Sequence, residues 1–308
     1  MKINTLGSVL KYYREKYEIM QADLCDGICT SAILSKVEHG NKIIDSLMGE
    51  ALLGRLGKTV LQFELLLDDE DYELWKLREE MKKAEQIKDY MQMELLLEEY
   101  RTKMPSNSVH QQFYMYHCVK CKMCDTASRE TVCQMLYEAL LLTKPNLEET
   151  DVCIYNLTEI EIVLLLYRYH FSKWENNDVE KELSKILMYI QKVYSGRLKQ
   201  ETEIQVFLEL VSYEEQMENY ISAIKYIDEA IQVLSEGRSL EYIAELHFRK
   251  AQILEKQYRK NEGWETKKLI CKRECLLAYH VFDTMEQDDK RNELETYCEE
   301  KLGWQITK

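Results

Sequence analysis

Apolar residues recur along this chain every three or four positions, the period of amphipathic helices rather than strands. Leu6, Val9, Leu10, Tyr13 and Tyr17 stand at that spacing with charged residues between them, which predicts a first helix over residues 5 to 17. A short second helix runs from about Gln21 to Cys25 and stops at Gly27, a residue suited to a tight turn. Thr30 or Ser31 can cap the next helix, which buries Ile33, Leu34 and Val37, leaves Ser35 and Lys36 outward and ends at Gly40. A fourth helix starts near Asp45 or Ser46, packs Leu47, Ala51, Leu52 and Leu56, and closes at Gly57; a fifth packs Val60, Phe63 and Leu67. The acidic stretch Asp68 to Asp71 fits a solvated helix start better than a core and marks the expected domain boundary.

Beyond it the periodic segments come in pairs, at intervals of about 35 to 47 residues, the repeat length of helical solenoids. The clearest pair covers 200 to 235, where Tyr220 supplies an aromatic and Ala223 and Ala230 let neighbouring helices approach closely. Weaker copies cover 71 to 104, 107 to 147, 149 to 195 and 239 to 283, with Pro105 and Pro145 between helices and residues 288 to 302 as a terminal cap. The expected fold is all-α: a five-helix domain over residues 1–67, then about five tetratricopeptide-like pairs over 71–308, stacked as a right-handed superhelix with a concave groove.

Composition supports the helical reading, since only 10 Gly and 2 Pro occur in 308 residues. Charge is uneven. Residues 1–58 hold 8 Lys/Arg against 7 Asp/Glu, whereas the remaining 250 hold 33 against 48, so any DNA contact belongs at the N-terminus. No signal peptide opens the chain and its longest apolar run, Ile162 to Tyr167, is far too short for a membrane span, so a cytoplasmic protein without a membrane partner is expected. There the ten cysteines stay reduced and pack as small apolar residues.

The segment Met20-Gln-Ala-Asp-Leu-Cys-Asp-Gly-Ile-Cys-Thr-Ser-Ala-Ile-Leu-Ser-Lys-Val-Glu-His-Gly40 resembles the helix-turn-helix of lambda-repressor and Cro-type regulators, with Gln21, Leu24, Ser35, Glu38 and Gly40 at that family's pattern positions. Such domains insert the second helix of the motif into the major groove of double-stranded DNA. The resemblance implies that Gln21 meets a phosphate or base, that Thr30, Ser31, Ala32, Ser35 and Lys36 face the groove, and that Asn41 and Lys42 hold phosphate. Met20 stands where the family usually has a capping Thr, and Ala32 where a longer polar side chain is common.

With the repeat-like tail, including Asn156-Leu-Thr-Glu-Ile-Glu-Ile-Val-Leu-Leu-Leu166, the architecture resembles the peptide-sensing quorum regulators that include PlcR, PrgX and Rgg. The resemblance implies transcription regulation, a short signalling peptide on the concave face and a homodimer formed through the repeats. Threading the repeat pattern places Gln205, Ser212 and Gln216 toward the groove, with Arg168 and Gln252 equivalent in flanking repeats and Tyr114 at a groove position. Arg168 could clamp a peptide carboxylate. The alternative is an adaptor that binds protein through the groove without reading DNA.

Cys118, Cys121 and Cys124 have a spacing that can ligate zinc or an iron–sulfur cluster, but on one helix they also line one side as core residues do, and packing is the preferred reading. No phosphate loop, His-Glu-x-x-His pair or nucleophile elbow occurs, so no enzyme, metal or cofactor is expected.

Overall fold

The computed structural model describes residues 5–59, 69–124, 127–146, 156–171, 179–236, 242–259 and 263–306. Among them there are fifteen helices and no strand. The fold is all-α. The first four helices are α1 (Leu6–Lys16), α2 (Gln21–Cys25), α3 (Ser31–Glu38) and α4 (Ser46–Arg55). Then come α5 (Asp69–Gln86), α6 (Tyr90–Lys103), α7 (Ser108–Cys124), α8 (Arg129–Leu141), α9 (Glu159–Phe171) and α10 (Val179–Val193). The last five are α11 (Gly196–Gln216), α12 (Tyr220–Glu236), α13 (Ile243–Tyr258), α14 (Trp264–Thr284) and α15 (Asp288–Leu302).

Local chemistry explains most boundaries. The side chains of Thr5, Thr30, Asp45, Asp89 and Ser128 each accept a hydrogen bond from a backbone N–H in the first turn of α1, α3, α4, α6 and α8. Turns of one kind follow α1, α5, α11 and α14, where Glu18, Lys88, Glu218 and Glu286 adopt positive φ near 55°. In each, the next amide reaches back to a carbonyl five residues earlier, as Asp89 N–H does to Ala84. Glycine usually fills such a position, so these turns carry no glycine signal in the sequence.

The structure divides into two compact units, Met1–Lys199 and Gln200–Lys308. In the first, Leu10, Leu24, Leu34 and Leu52 share one continuous core with Leu77, Met81, Met93, Tyr100 and Phe113. The boundary expected near residues 67–71 therefore falls inside a compact unit, because the first four helices bury apolar faces against α5 to α7. The acidic stretch is not wholly solvated either: Asp71 accepts hydrogen bonds from the backbone N–H (2.9 Å) and hydroxyl (2.7 Å) of Ser46 at the start of α4. The expected fifth helix, with Val60, Phe63 and Leu67, lies outside the described residues.

In the second unit α12 packs on α13, α13 on α14 and α14 on α15. Ala223 and Ala230 are fully buried, as their small size in the repeat pattern suggests, and Ala251, Cys271, Cys275, Ala278 and Cys298 continue that close packing.

Candidate nucleic-acid interface

The short α2, the turn over residues 26–30 and α3 form the helix-turn-helix. Leu24, Ile28, Leu34 and Val37 anchor it inward, while Thr30, Ser31, Ala32 and Lys36 stay exposed and Ser35 is half-buried. Asn41 and Lys42 are exposed in the loop after α3. Polar side chains at the N-terminal end of a helix, one lysine a turn later and a polar loop beyond it form a surface that can meet base edges and phosphates. Thr30 spends its oxygen on capping, accepting from Ile33 N–H at 3.3 Å, and the Ser31 hydroxyl lies 3.7 Å from the Cys25 sulfur.

Gln21 has another task. Its side-chain nitrogen donates to Glu38 at 2.7 Å, and Glu38 also takes two bonds from Arg14, at 2.6 and 2.9 Å. Burial alone would raise the Glu38 carboxyl, but the bonds from Arg14 and Gln21 hold it below the ordinary value. The Gln21 amide, expected to meet a phosphate or base, thus also ties the start of α2 to the end of α3.

Arg55 was not singled out, although it interrupts the apolar run Leu52-Leu53-Gly54-Arg55-Leu56, which is the signal that could have found it. It is fully buried with Glu161, 2.7 Å away. Its other hydrogen bonds go to main-chain oxygens: Leu24 at 2.9 Å, Asp26 at 2.6 Å and Thr143 at 3.0 Å. The turn is also clasped from outside. Ser108, at the start of α7, donates to the Gly27 carbonyl at 2.6 Å, and a Cβ on Gly27 would sit 2.0 Å from the Thr143 oxygen.

A second tie reaches the cap of α4. The Tyr100 hydroxyl and His110 Nδ1 are 2.7 Å apart, and His110 Nε2 lies 3.1 Å from the Asp45 carboxylate. Burial would raise the Asp45 carboxyl, yet its bond to His110 keeps it below the ordinary value.

The residues expected to meet a peptide fall in both units. In the first, Tyr114 is half-buried and burial pushes its hydroxyl up to about 12, while the Arg168 guanidinium lies 5.1 Å from the centre of the Tyr137 ring. In the second, the Ser212 hydroxyl donates to the Leu208 carbonyl and accepts from Arg249, both at 2.9 Å. Arg249 also pairs with Glu215, so the sequence reading missed the side chain that joins α13 to this part of α11. Gln252 lies one turn beyond Arg249 and is half-buried, Gln216 is exposed, and the Gln205 side-chain oxygen is buried without a hydrogen-bond partner.

Cys118 is half-buried and Cys121 buried against the first unit's core; the Cys124 side chain lies outside the described residues. Among the described residues no three metal-ligating side chains converge, and no helix is long and apolar enough to cross a membrane.

No protein-family model matches the sequence, and comparison with curated proteins gives no match. Solved structures do match over nearly the whole chain. PlcR of Bacillus thuringiensis, in complex with the peptide PapR7 and DNA, is 16% identical, with 95% of this chain and 99% of that chain covered and a TM-score of 0.55. The fold is that of PlcR. ComR of S. thermophilus, in complex with DNA and its signalling peptide, is 14% identical over 95% of this chain and 98% of its own, with a TM-score of 0.51. The apo form of the competence regulator ComR from Streptococcus vestibularis gives 14%, 95%, 96% and 0.54. The likeness to PlcR and ComR therefore spans both compact units.

Proposed function

We propose that this protein is a DNA-binding transcription regulator, acting in the cytoplasm as a homodimer, whose affinity for its operator is set by a short peptide held by the repeat helices. The observation that carries the reading is the exposed N-terminal end of α3, on a chain whose fold matches PlcR and ComR, both solved with DNA and a signalling peptide. Residues 1–67 read DNA, with Gln21 at a phosphate or base, Thr30, Ser31, Ala32, Ser35 and Lys36 toward the major groove and Asn41 and Lys42 toward phosphate. Residues 71–308 bind the ligand and form the dimer, with Tyr114, Arg168, Gln205, Ser212, Gln216 and Gln252 as peptide contacts.

A regulator of this kind works by differential affinity: a peptide that favours one arrangement of the repeats shifts the DNA-binding equilibrium by that preference and no more. The non-enzymatic character of the scheme follows from the same chemistry, since recognition needs positioned hydrogen bonds and charge rather than a nucleophile.

The test is a titration of the protein against fragmented host DNA, including the region upstream of its own coding sequence, at two salt concentrations. Selective retention that weakens steeply with salt and disappears in a Thr30/Ser31/Lys36 triple alanine variant supports the reading. Absence of selective retention by the unaltered protein overturns it in favour of a protein-binding adaptor.

A further inference from the structure

The guanidinium of Arg55 meets four acceptors in three places at once. It holds two carbonyls at the end of α2, the carbonyl of Thr143 beyond α8 and the carboxylate of Glu161 in the first turn of α9. Glu161 divides its oxygens between two tasks. Oε2 accepts from the Thr158 backbone N–H at 2.7 Å while the Thr158 hydroxyl accepts from the Glu161 N–H at 3.1 Å, the reciprocal box that starts α9. Oε1 takes Arg55 and the Thr143 hydroxyl, each at 2.7 Å. The side chain that fixes where α9 begins is thus the one that anchors the arginine gripping the turn before α3.

This arrangement is a poor device for stability alone. Removing two charges from water costs free energy that their attraction need not recover, and well-packed apolar pairs of similar volume often do as well or better. The Arg55 Nε is, moreover, buried without a hydrogen-bond partner. What an apolar pair cannot supply is direction. The Leu24 and Asp26 carbonyls are held at fixed distance from the start of a repeat helix whose Glu161 stands 106 residues beyond Arg55 in the chain.

We propose that Arg55 and Glu161 are positioning residues for DNA readout: through the α2–α3 turn they set the orientation of α3, and they make the placement of α9 felt at the DNA-binding surface. The proposal rests on the regulator reading for its consequence at DNA, but the geometry of the turn can be read without DNA. A ligand that shifts α9 would then pull on the turn directly, with no change at any residue that touches DNA.

The experiment compares the full-length protein with Glu161→Gln and with the double substitution Arg55→Met/Glu161→Leu, which replaces the pair by apolar side chains. Three quantities are measured: the thermal midpoint, the affinity for a selected operator, and amide exchange at Ile28 and Cys29, whose N–H groups bond to the Cys25 carbonyl. The double variant is expected to stay cooperatively folded with a lowered thermal midpoint, because the Leu24, Asp26 and Thr143 carbonyls and the Thr158 N–H lose their side-chain partners, while losing on the order of tenfold in operator affinity. Its two turn amides should exchange about tenfold faster. Glu161→Gln, which keeps the shape but not the charge, should fall between the two in affinity and exchange.

Unchanged affinity and exchange in a folded double variant would overturn the proposal, and so would a double variant that fails to fold, because the pair would then be a requirement of the fold itself. If the unaltered protein selects no DNA, the regulator reading fails on its own, and the exchange measurement still decides whether the pair holds the turn.

Discussion

The two compact units differ in how far along the chain their buried polar ties reach. In the first, polar side chains are buried between segments far apart in sequence: Arg55 with Glu161, His110 with Asp45, and Ser46 with both Asp71 and Arg78. In the second, Ala244, Ala251, Ala278 and three cysteines pack around Phe282, and the polar ties are shorter in sequence: the buried Glu274 lies 2.6 Å from His247, and Arg249 pairs with Glu215. Small apolar residues tolerate volume-conserving change, whereas each buried polar partner fixes one geometry and costs free energy when left alone. The first unit, which carries the helix-turn-helix, is therefore the one whose arrangement depends most on distant polar partners.

The largest effect that would sharpen this contrast is the single substitution Arg55→Met. It removes the hydrogen-bonded cation of the fully buried Glu161 carboxylate and leaves only the attraction of Lys144, and urea unfolding should show a loss of about 3–5 kcal/mol. A loss below about 1 kcal/mol would mean that water reaches Glu161, and the contrast between the units would fail. Next comes Gly27→Ala, expected to cost about 2–4 kcal/mol from a positive φ of 68° and a clash with Thr143. Circular dichroism followed through denaturant measures it, and a neutral result would show that the turn is not pressed against the end of α8.

In the second unit the expected effect is smaller. Leu294 is fully buried among the thiols and alanines, and Leu294→Met keeps its volume, so the same unfolding measurement should register less than about 1.5 kcal/mol. A larger penalty would indicate packing as exacting as that of the first unit and would break the comparison from the other side.

What the sequence disclosed follows this division. Apolar periodicity marks every helix pair, and Ala223 and Ala230 mark close contacts, because burial of apolar surface depends on local spacing that can be read directly. The caps were visible for the same reason: Thr30 and Asp45 each act on an amide three residues away. The long polar ties were not visible. Nothing local joins Arg55 to Glu161 or Asp45 to His110, and the only trace of the first is a charge within an apolar run. Gln21 shows the other side of this: its place in the motif suggests a DNA contact, and the structure gives its amide a bond to Glu38 as well. A motif records every constraint on a position and does not say which one acts through DNA.

The smallest effect probes how well the polar network is sealed. Lys144 donates to the Asn156 carbonyl at 2.8 Å, and burial pushes its ammonium down to about 8 from 10.5, the attraction of Glu161 offsetting part of that fall. Between about pH 8 and 10.5 the unfolded chain then binds one proton more at this position than the folded chain does, so its contribution to stability rises with pH. Below pH 8 both states are charged and the contribution is flat. Other groups titrate at alkaline pH, so the quantity to follow is the difference between the unaltered protein and Lys144→Met. The unaltered protein should gain about 1 kcal/mol relative to the variant between pH 8 and 9. A difference independent of pH would show that the ammonium keeps its water. The ring of polar ties around the helix-turn-helix would then be open at that point, and the Arg55 pair would owe its exclusion from solvent to its immediate neighbours alone.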